Sequence, residues 1–167
     1  MRRRLSAVVA GLVLSSVCLV ADDLSVVVDP RADLSLFKTF VVRKGKIDSP
    51  RPELDNPLFV KKLTSVIRAA LAAKGLTEST DRPDLVVGYT VTGEDVSMGA
   101  PSAARGLGPQ PVRFTEGTLV IDLTRPGDGA SVWRGVYRDD EKTGSKLMQN
   151  LPEDAKKLVA RYPQRAK

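Results

Sequence analysis

The sequence predicts an α+β fold: a mostly antiparallel sheet with two helices packed on one face, in the order β-β-α-β, a long loop, then β-β-α. Three observations lead there. Several short segments alternate apolar and polar residues with a period of two, as strands do. Two other segments repeat apolar residues every three or four positions, as helices do. The chain is 167 residues long, which suits one core of ordinary size. A helix with a single apolar stripe must bury it, and a sheet face is the available surface.

The first strand is the apolar run Leu24 to Val28, stopped by Asp29 and Pro30. Asp33 to Ser35 reads as a turn, and Leu36 to Val42 as the second strand. Phe37, Thr39 and Val41 fall on one of its faces and Leu36, Phe40 and Val42 on the other. Residues 45–52 form a turn-rich connector. Asn56 then offers an N-cap and Pro57 an N1 residue whose missing N–H costs nothing. Phe59, Leu63, Val66, Ile67, Ala70 and Leu71 make one stripe, and Gly75 ends the helix.

Asp84 to Val91 alternates cleanly, with Leu85, Val87, Tyr89 and Val91 on one face. Residues 92–117 hold five glycines and three prolines. They read either as a long irregular loop or as a hairpin extension with a strand near Val112 to Phe114. Thr118 to Leu123 and Ser131 to Tyr137 form a hairpin around Arg125-Pro126-Gly127-Asp128-Gly129. Trp133 is expected as a core anchor. The last helix is expected from Pro152 to Tyr162, with Ala155, Leu158, Val159 and Tyr162 on one face and Pro163 as its stop.

The chain contains no His and one Cys. That removes imidazole chemistry, imidazole metal sites and any internal disulfide. The formal net charge is +6. Arg2, Arg3 and Arg4 precede an uncharged stretch of 17 residues, Leu5 to Ala21, closed by Asp22 and Asp23. This stretch is shorter than the roughly 20 residues that settle across a bilayer. Basic residues, a short apolar core and small residues at its end describe a secretory signal. Residues 1–21 are therefore expected to be a signal segment and 22–167 one α+β domain. Without residues 1–21 the net charge is +3, and no basic stripe with interleaved aromatics points to nucleic acid. Cys18 has two readings. It is a lipidation site preceded by Ser15, Ser16 and Val17, or an apolar residue of the signal core.

Four stretches together resemble the family of bacterial lipoproteins carrying domain of unknown function 4136. They are Asp33-Leu34-Ser35-Leu36-Phe37-Lys38-Thr39-Phe40, Asn56-Pro57-Leu58 with its helix to Lys74-Gly75-Leu76, Pro83-Asp84-Leu85-Val86-Val87-Gly88-Tyr89, and Gly117-Thr118-Leu119-Val120-Ile121-Asp122-Leu123 continuing to Val136. Tyr162-Pro163 at the end of the closing helix also fits. The resemblance covers residues 24–163. It implies an exported, usually envelope-attached bacterial protein with an α+β fold; for this chain the periplasm or outer membrane is expected, and its own N-terminal residues leave attachment through a Cys18 lipid or an uncleaved signal open. It implies no catalytic residues and no cofactor.

Candidate sites are few. Glu94 and Asp95 could serve as a carboxylate pair in glycosidic hydrolysis, but adjacent residues point apart in regular backbone. Asp122 is expected to pair with Arg134 across the hairpin. Ser145-Lys146 is a weak nucleophile pair in what reads as exposed loop. Arg105-Gly106-Leu107-Gly108 lacks the Lys-Ser/Thr of a phosphate loop. No cofactor and no metal site is expected. The remaining reading is an exported envelope protein that binds a protein partner or contributes to assembly, or alternatively binds a small ligand or glycan, and least of all a carboxylate hydrolase. The segment 92–116 is its candidate contact surface.

Intact-mass measurement on protein recovered from expressing cells tests the export reading. The expected mass lacks the first 21 residues, or starts at Cys18 with added diacylglycerol. A full-length mass retaining Arg2 to Arg4 contradicts cleavage.

Overall fold

The computed structural model describes residues 23–43, 45–50, 52–98, 112–141 and 143–163. In chain order the elements are β1 (Asp23–Val28), β2 (Thr39–Val42), β3 (Lys46–Asp48), α1 (Pro57–Ala73), β4 (Thr77–Glu78), β5 (Leu85–Met98), β6 (Val112–Thr124), β7 (Ser131–Glu141) and α2 (Gly144–Ala160). One mixed sheet runs β1-β7-β6-β5-β2-β4, with β3 also pairing β5. The β5-β6-β7-β1 half is antiparallel. The β2-β4, β2-β5 and β3-β5 pairs are parallel. The α+β class and the predominance of antiparallel pairing agree with the sequence.

The structure departs from the expected elements in three places. Leu34–Leu36 is a 3-10 turn rather than the start of a strand. The Asp33 carboxylate accepts the Ser35 amide at 3.0 Å and its hydroxyl at 2.6 Å, and this local turn outcompetes extended pairing. Leu36 is consequently 69% exposed, and β2 starts at Thr39. The connector and the stretch after α1 supply two further short strands, β3 and β4. The last helix begins at Gly144, with Pro152 inside it. Thr143 caps it, its hydroxyl accepting the Lys146 amide at 3.3 Å. The proline therefore marks no start, although it removes one backbone bond from the helix.

Of the two readings of 92–117, the hairpin extension is the one that holds: Thr92 to Met98 and Val112 to Glu116 are strand. β5 and β6 pair continuously from Val86↔Thr124 to Met98↔Val112. The connection, 99–111, lies outside the described residues, and so does the Arg105–Gly108 segment.

The core lies between the sheet and the helices. Leu85, Val87, Tyr89 and Val91 of β5 and Leu119, Ile121 and Leu123 of β6 are buried there. From α1 come Phe59, Leu63, Ile67 and Leu71, and from α2 Leu147, Leu151, Ala155, Leu158 and Val159. Asn56 caps α1 by accepting the Leu58 amide at 2.8 Å. Gly75 closes it at φ 89°, while the Gly75 and Leu76 amides bond Ala72 and Leu71 carbonyls. The Tyr89 hydroxyl lies 2.6 Å from Thr64 Oγ1 and donates to the Val60 carbonyl, tying α1 to β5. Trp133 is 1% exposed and packs edge-on to Tyr162, with ring centroids 6.1 Å apart. Its Nε1 has no hydrogen-bond partner among the described residues. The Tyr162 hydroxyl donates to the Leu34 carbonyl, and burial pushes this phenol up to about 12.

Glycines let the helical layer approach the sheet closely. Gly93 and Gly117 are cross-strand partners. A Cβ on Gly117 would overlap both methyls of Leu147, and one on Gly93 would overlap Leu54. Gly135 makes the same room for Leu158 and the Trp133 ring. These positions alternate correctly with their neighbours but carry no side chain, because the helix side supplies it.

Gly117→Ala is therefore expected to destabilise the fold by about 1–3 kcal/mol through overpacking. Adding Leu147→Ala should cost less in the Gly117→Ala background than in the parent. Chemical denaturation of the four proteins measures this coupling, and strict additivity would contradict the contact.

Candidate functional site

The structure separates Glu94 from Asp95 as strand alternation requires, so the two do not form a carboxylate pair. Glu94 is directly opposite Glu116 on β6, while Asp95 is opposite Thr115. Thr92, Glu94, Glu116, Thr118 and Arg138 line a shallow polar depression of about 220 Å³ on the sheet face turned away from the helices. Arg138 also donates to Asp23 at 3.3 Å. Glu116 was not singled out in the sequence, because Gly117 beside it reads as a loop marker. Like charges directly opposite oppose each other; Arg138, opposite Thr118 on β7, lines the same depression. The depression is open and smaller than a typical small-molecule pocket of about 300–1,000 Å³. Among the described residues there is no group of three or more His, Cys, Asp or Glu placed to hold a metal.

Asp122 pairs with Arg134 as expected. Nε donates to Oδ1 at 2.6 Å and Nη2 to Oδ2 at 3.1 Å. This fork ties β6 to β7 and is structural. Ser145 and Lys146 lie in the first turn of α2, both exposed, rather than in a loop. Cys18 lies outside the described residues.

A carboxylate not singled out as a site proves the best-connected one. Asp84 Oδ2 accepts the Lys38 amide at 2.8 Å, the Thr39 amide at 2.9 Å and the Thr39 hydroxyl at 2.9 Å. Its own amide donates back to Thr39 Oγ1 at 2.9 Å. The Lys38 amide is the largest cause holding its carboxyl below the usual range; the Thr39 groups and the Lys38 charge add to this, and partial burial opposes it. The clue in the sequence was the Lys38-Thr39 and Pro83-Asp84 stretches, whose spatial meeting no local pattern reveals. Another tie joins α2 to β7. Lys157 Nζ lies 3.1 Å from the buried Asp154 carboxylate and 5.5 Å above the Tyr137 ring. The bond to Asp154 is the main cause raising the Lys157 pKa.

On the far side of the helices, Val66, Ala69, Ala70, Ala73 and Ala160 line an apolar groove of about 360 Å³ between α1 and α2. Lys74 and Lys156 complete its lining. Lys74 Nζ donates to the Ala160 carbonyl, so the C-terminal ends of the two helices lie side by side.

Residues 25–164 match the family described as Domain of unknown function (DUF4136). The chain belongs to this family. The DUF4136 match spans both strands joined by Asp84, the glycine-floored hairpin and both helices. Two solved structures show the same fold at low identity. One is a PDZ domain protein from Parabacteroides distasonis, with TM-score 0.58 and 14% identity. It covers 87% of this chain, which spans only 36% of that protein. A DUF4136 family protein from Bacteroides thetaiotaomicron has TM-score 0.50 and 15% identity, covering 83% of this chain and 92% of its own. A lipoprotein from Neisseria meningitidis is more distant, with TM-score 0.40 and 13% identity over 74% of this chain and 98% of its own. No curated protein sequence matches this chain significantly.

Replacing Asp84 with Ala is expected to lower stability by about 2–3 kcal/mol, since it removes a charged acceptor from three donors. The parent should also show an acid dependence that the variant lacks. The folded carboxyl has the lower pKa, so its stabilisation is complete above the unfolded value of about 3.9. It is lost as pH falls through the folded value. Denaturation midpoints followed from neutral pH to below the unfolded value measure both effects. Parallel pH profiles for parent and Asp84→Ala would contradict this role.

Proposed function

We propose that this DUF4136 protein is exported to the bacterial cell envelope and acts there by binding a protein partner through the open edge of its sheet. Export rests on Arg2 to Arg4 and the uncharged segment behind them. Cys18 is the candidate attachment point, and the periplasm or outer membrane the compartment.

The observation that supports the binding mode is strand β1. It pairs β7 along one edge, and among the described residues no strand pairs its other edge. Val27 is 65% exposed and Val28 40%. Edge strands commonly carry Lys, Pro or a bulge that discourages further pairing. Asp23–Val28, with sequence DLSVVV, carries none of these. A strand from another protein can add to such an edge by main-chain bonds, with side chains setting specificity.

Two other readings receive less support. Phe40, Phe59, Tyr89, Trp133, Tyr137 and Tyr162 are all buried, so these rings are committed to the core rather than to stacking on a glycan. The carboxylate hydrolase reading loses its Glu94–Asp95 pair to strand alternation.

Affinity capture from envelope extract with the full chain tests the edge. Val27→Lys with Val28→Lys places charge on exposed β1 positions. It is expected to reduce recovery of a reproducible partner at least about tenfold without changing the melting temperature. Equal recovery by parent and variant would remove β1 from the interface. Turnover of an envelope-derived substrate by the pure protein, abolished by Glu94→Gln or Glu116→Gln in a folded chain, would overturn the non-enzymatic reading.

A further inference from the structure

We propose that the helical layer is a docking surface for an anionic phospholipid membrane, with the groove between α1 and α2 at its centre. This goes beyond the strand-edge reading and uses a different face of the molecule. Its first support is the division of charge. Residues 57–74 and 144–161 hold eight Lys or Arg against two Asp or Glu, leaving +6. The rest of residues 23–163 holds thirteen against seventeen, leaving −4. A molecule so divided is oriented by a negatively charged surface, basic layer inward.

The basic residues are placed to make that contact. Lys61, Lys62, Arg68, Lys156, Lys157 and Arg161 are exposed. Arg68 pairs with Glu78, Lys156 with Glu153 and Lys157 with Asp154. The Arg68 and Lys156 pairs are exposed, and such pairs contribute little and exchange readily, whereas Lys157 is held by the buried Asp154 and is not counted on for the contact.

The second support is what lies between the cations. The groove is lined by four alanines and Val66, with Lys74 and Lys156 beside them. Leu58, Lys62, Ala69 and Ala73 follow one another at spacings of four, seven and four, so they share one stripe of α1. Leu58 at its start is 76% exposed. An apolar strip flanked by lysines matches the headgroup–acyl boundary, where the stems rest on apolar surface and the ammonium groups reach phosphates. A nucleic acid would answer the charge and leave the strip unused. No helix among the described residues is long and apolar enough to cross a membrane, so the contact is lateral.

Vesicle co-sedimentation tests this with the full chain as recovered from expressing cells. Phosphatidylcholine vesicles are compared with vesicles rich in phosphatidylglycerol. Whatever part of residues 1–22 is retained is common to parent and variants, so differences between them report the helical layer. Lys61→Gln, Lys62→Gln and Lys156→Gln together are expected to reduce partitioning onto anionic vesicles about tenfold or more, with neutral vesicles little affected. Replacing the same three with Arg should restore binding. Ala69→Asp should weaken it through the strip, and all variants should melt with the parent. Equal partitioning of parent and triple Gln variant onto anionic vesicles overturns the proposal. Loss of vesicle and DNA-duplex binding in parallel, with Ala69→Asp without effect on either, overturns it in favour of a general polyanion surface. Val27→Lys with Val28→Lys should bind vesicles like the parent, so failure of one reading leaves the other standing.

Discussion

One carboxylate oxygen sets where the parallel half of the sheet begins. Asp84 Oδ2 collects the Lys38 and Thr39 amides and the Thr39 hydroxyl, which aligns Phe40 with Leu85 and so the register of β2 on β5. Two parallel neighbours cannot be joined by a tight turn, so the chain must cross over between them. The crossover is α1, delivered by Asn56 and Pro57 and ended at Gly75. Once α1 lies on the sheet, α2 has a wall to pack beside. The tie is local in space and distant in sequence, so it fixes a long loop closure with a few short bonds.

The sheet meets its helices through missing side chains as much as through present ones. Gly93, Gly117 and Gly135 give Leu54, Leu147 and Leu158 room to sit almost on the backbone. A conventional apolar residue at any of these points would hold the helical layer further out and leave gaps around the remaining leucines. Close packing of α2 and of the turn before α1 therefore depends on three positions that bury no side chain of their own.

Legibility followed from the range of the interactions involved. The α1 stripe, its caps and the Arg125–Gly129 turn depend on residues a few positions apart, and all were readable. So was the Asp122–Arg134 fork, because hairpin register is local. Gly93 and Gly117 left the loop and the hairpin extension both open, because the physics that makes glycine a loop former also suits it to a crowded strand. Pro152 misled because it is buried inside α2 rather than placed at its start. Asp84 carries no local sign of its role, which needs two segments 45 residues apart brought together. Nothing in a linear pattern shows which face of a sheet stays uncovered, so Glu116 and the polar depression were invisible.

The chain has one tryptophan, and the packing around it makes it an internal optical gauge. Trp133 sits where β7, β1 and the end of α2 converge, paired with Val28 and Leu123 and edge-on to Tyr162. An indole shut away from water emits at the blue end of its range. Separation of α2 from the sheet would let solvent reach the ring and shift the emission red, whereas events confined to the outer helical surface would leave it unchanged. The colour of a single fluorophore thus distinguishes opening of the core from contacts made on its exterior.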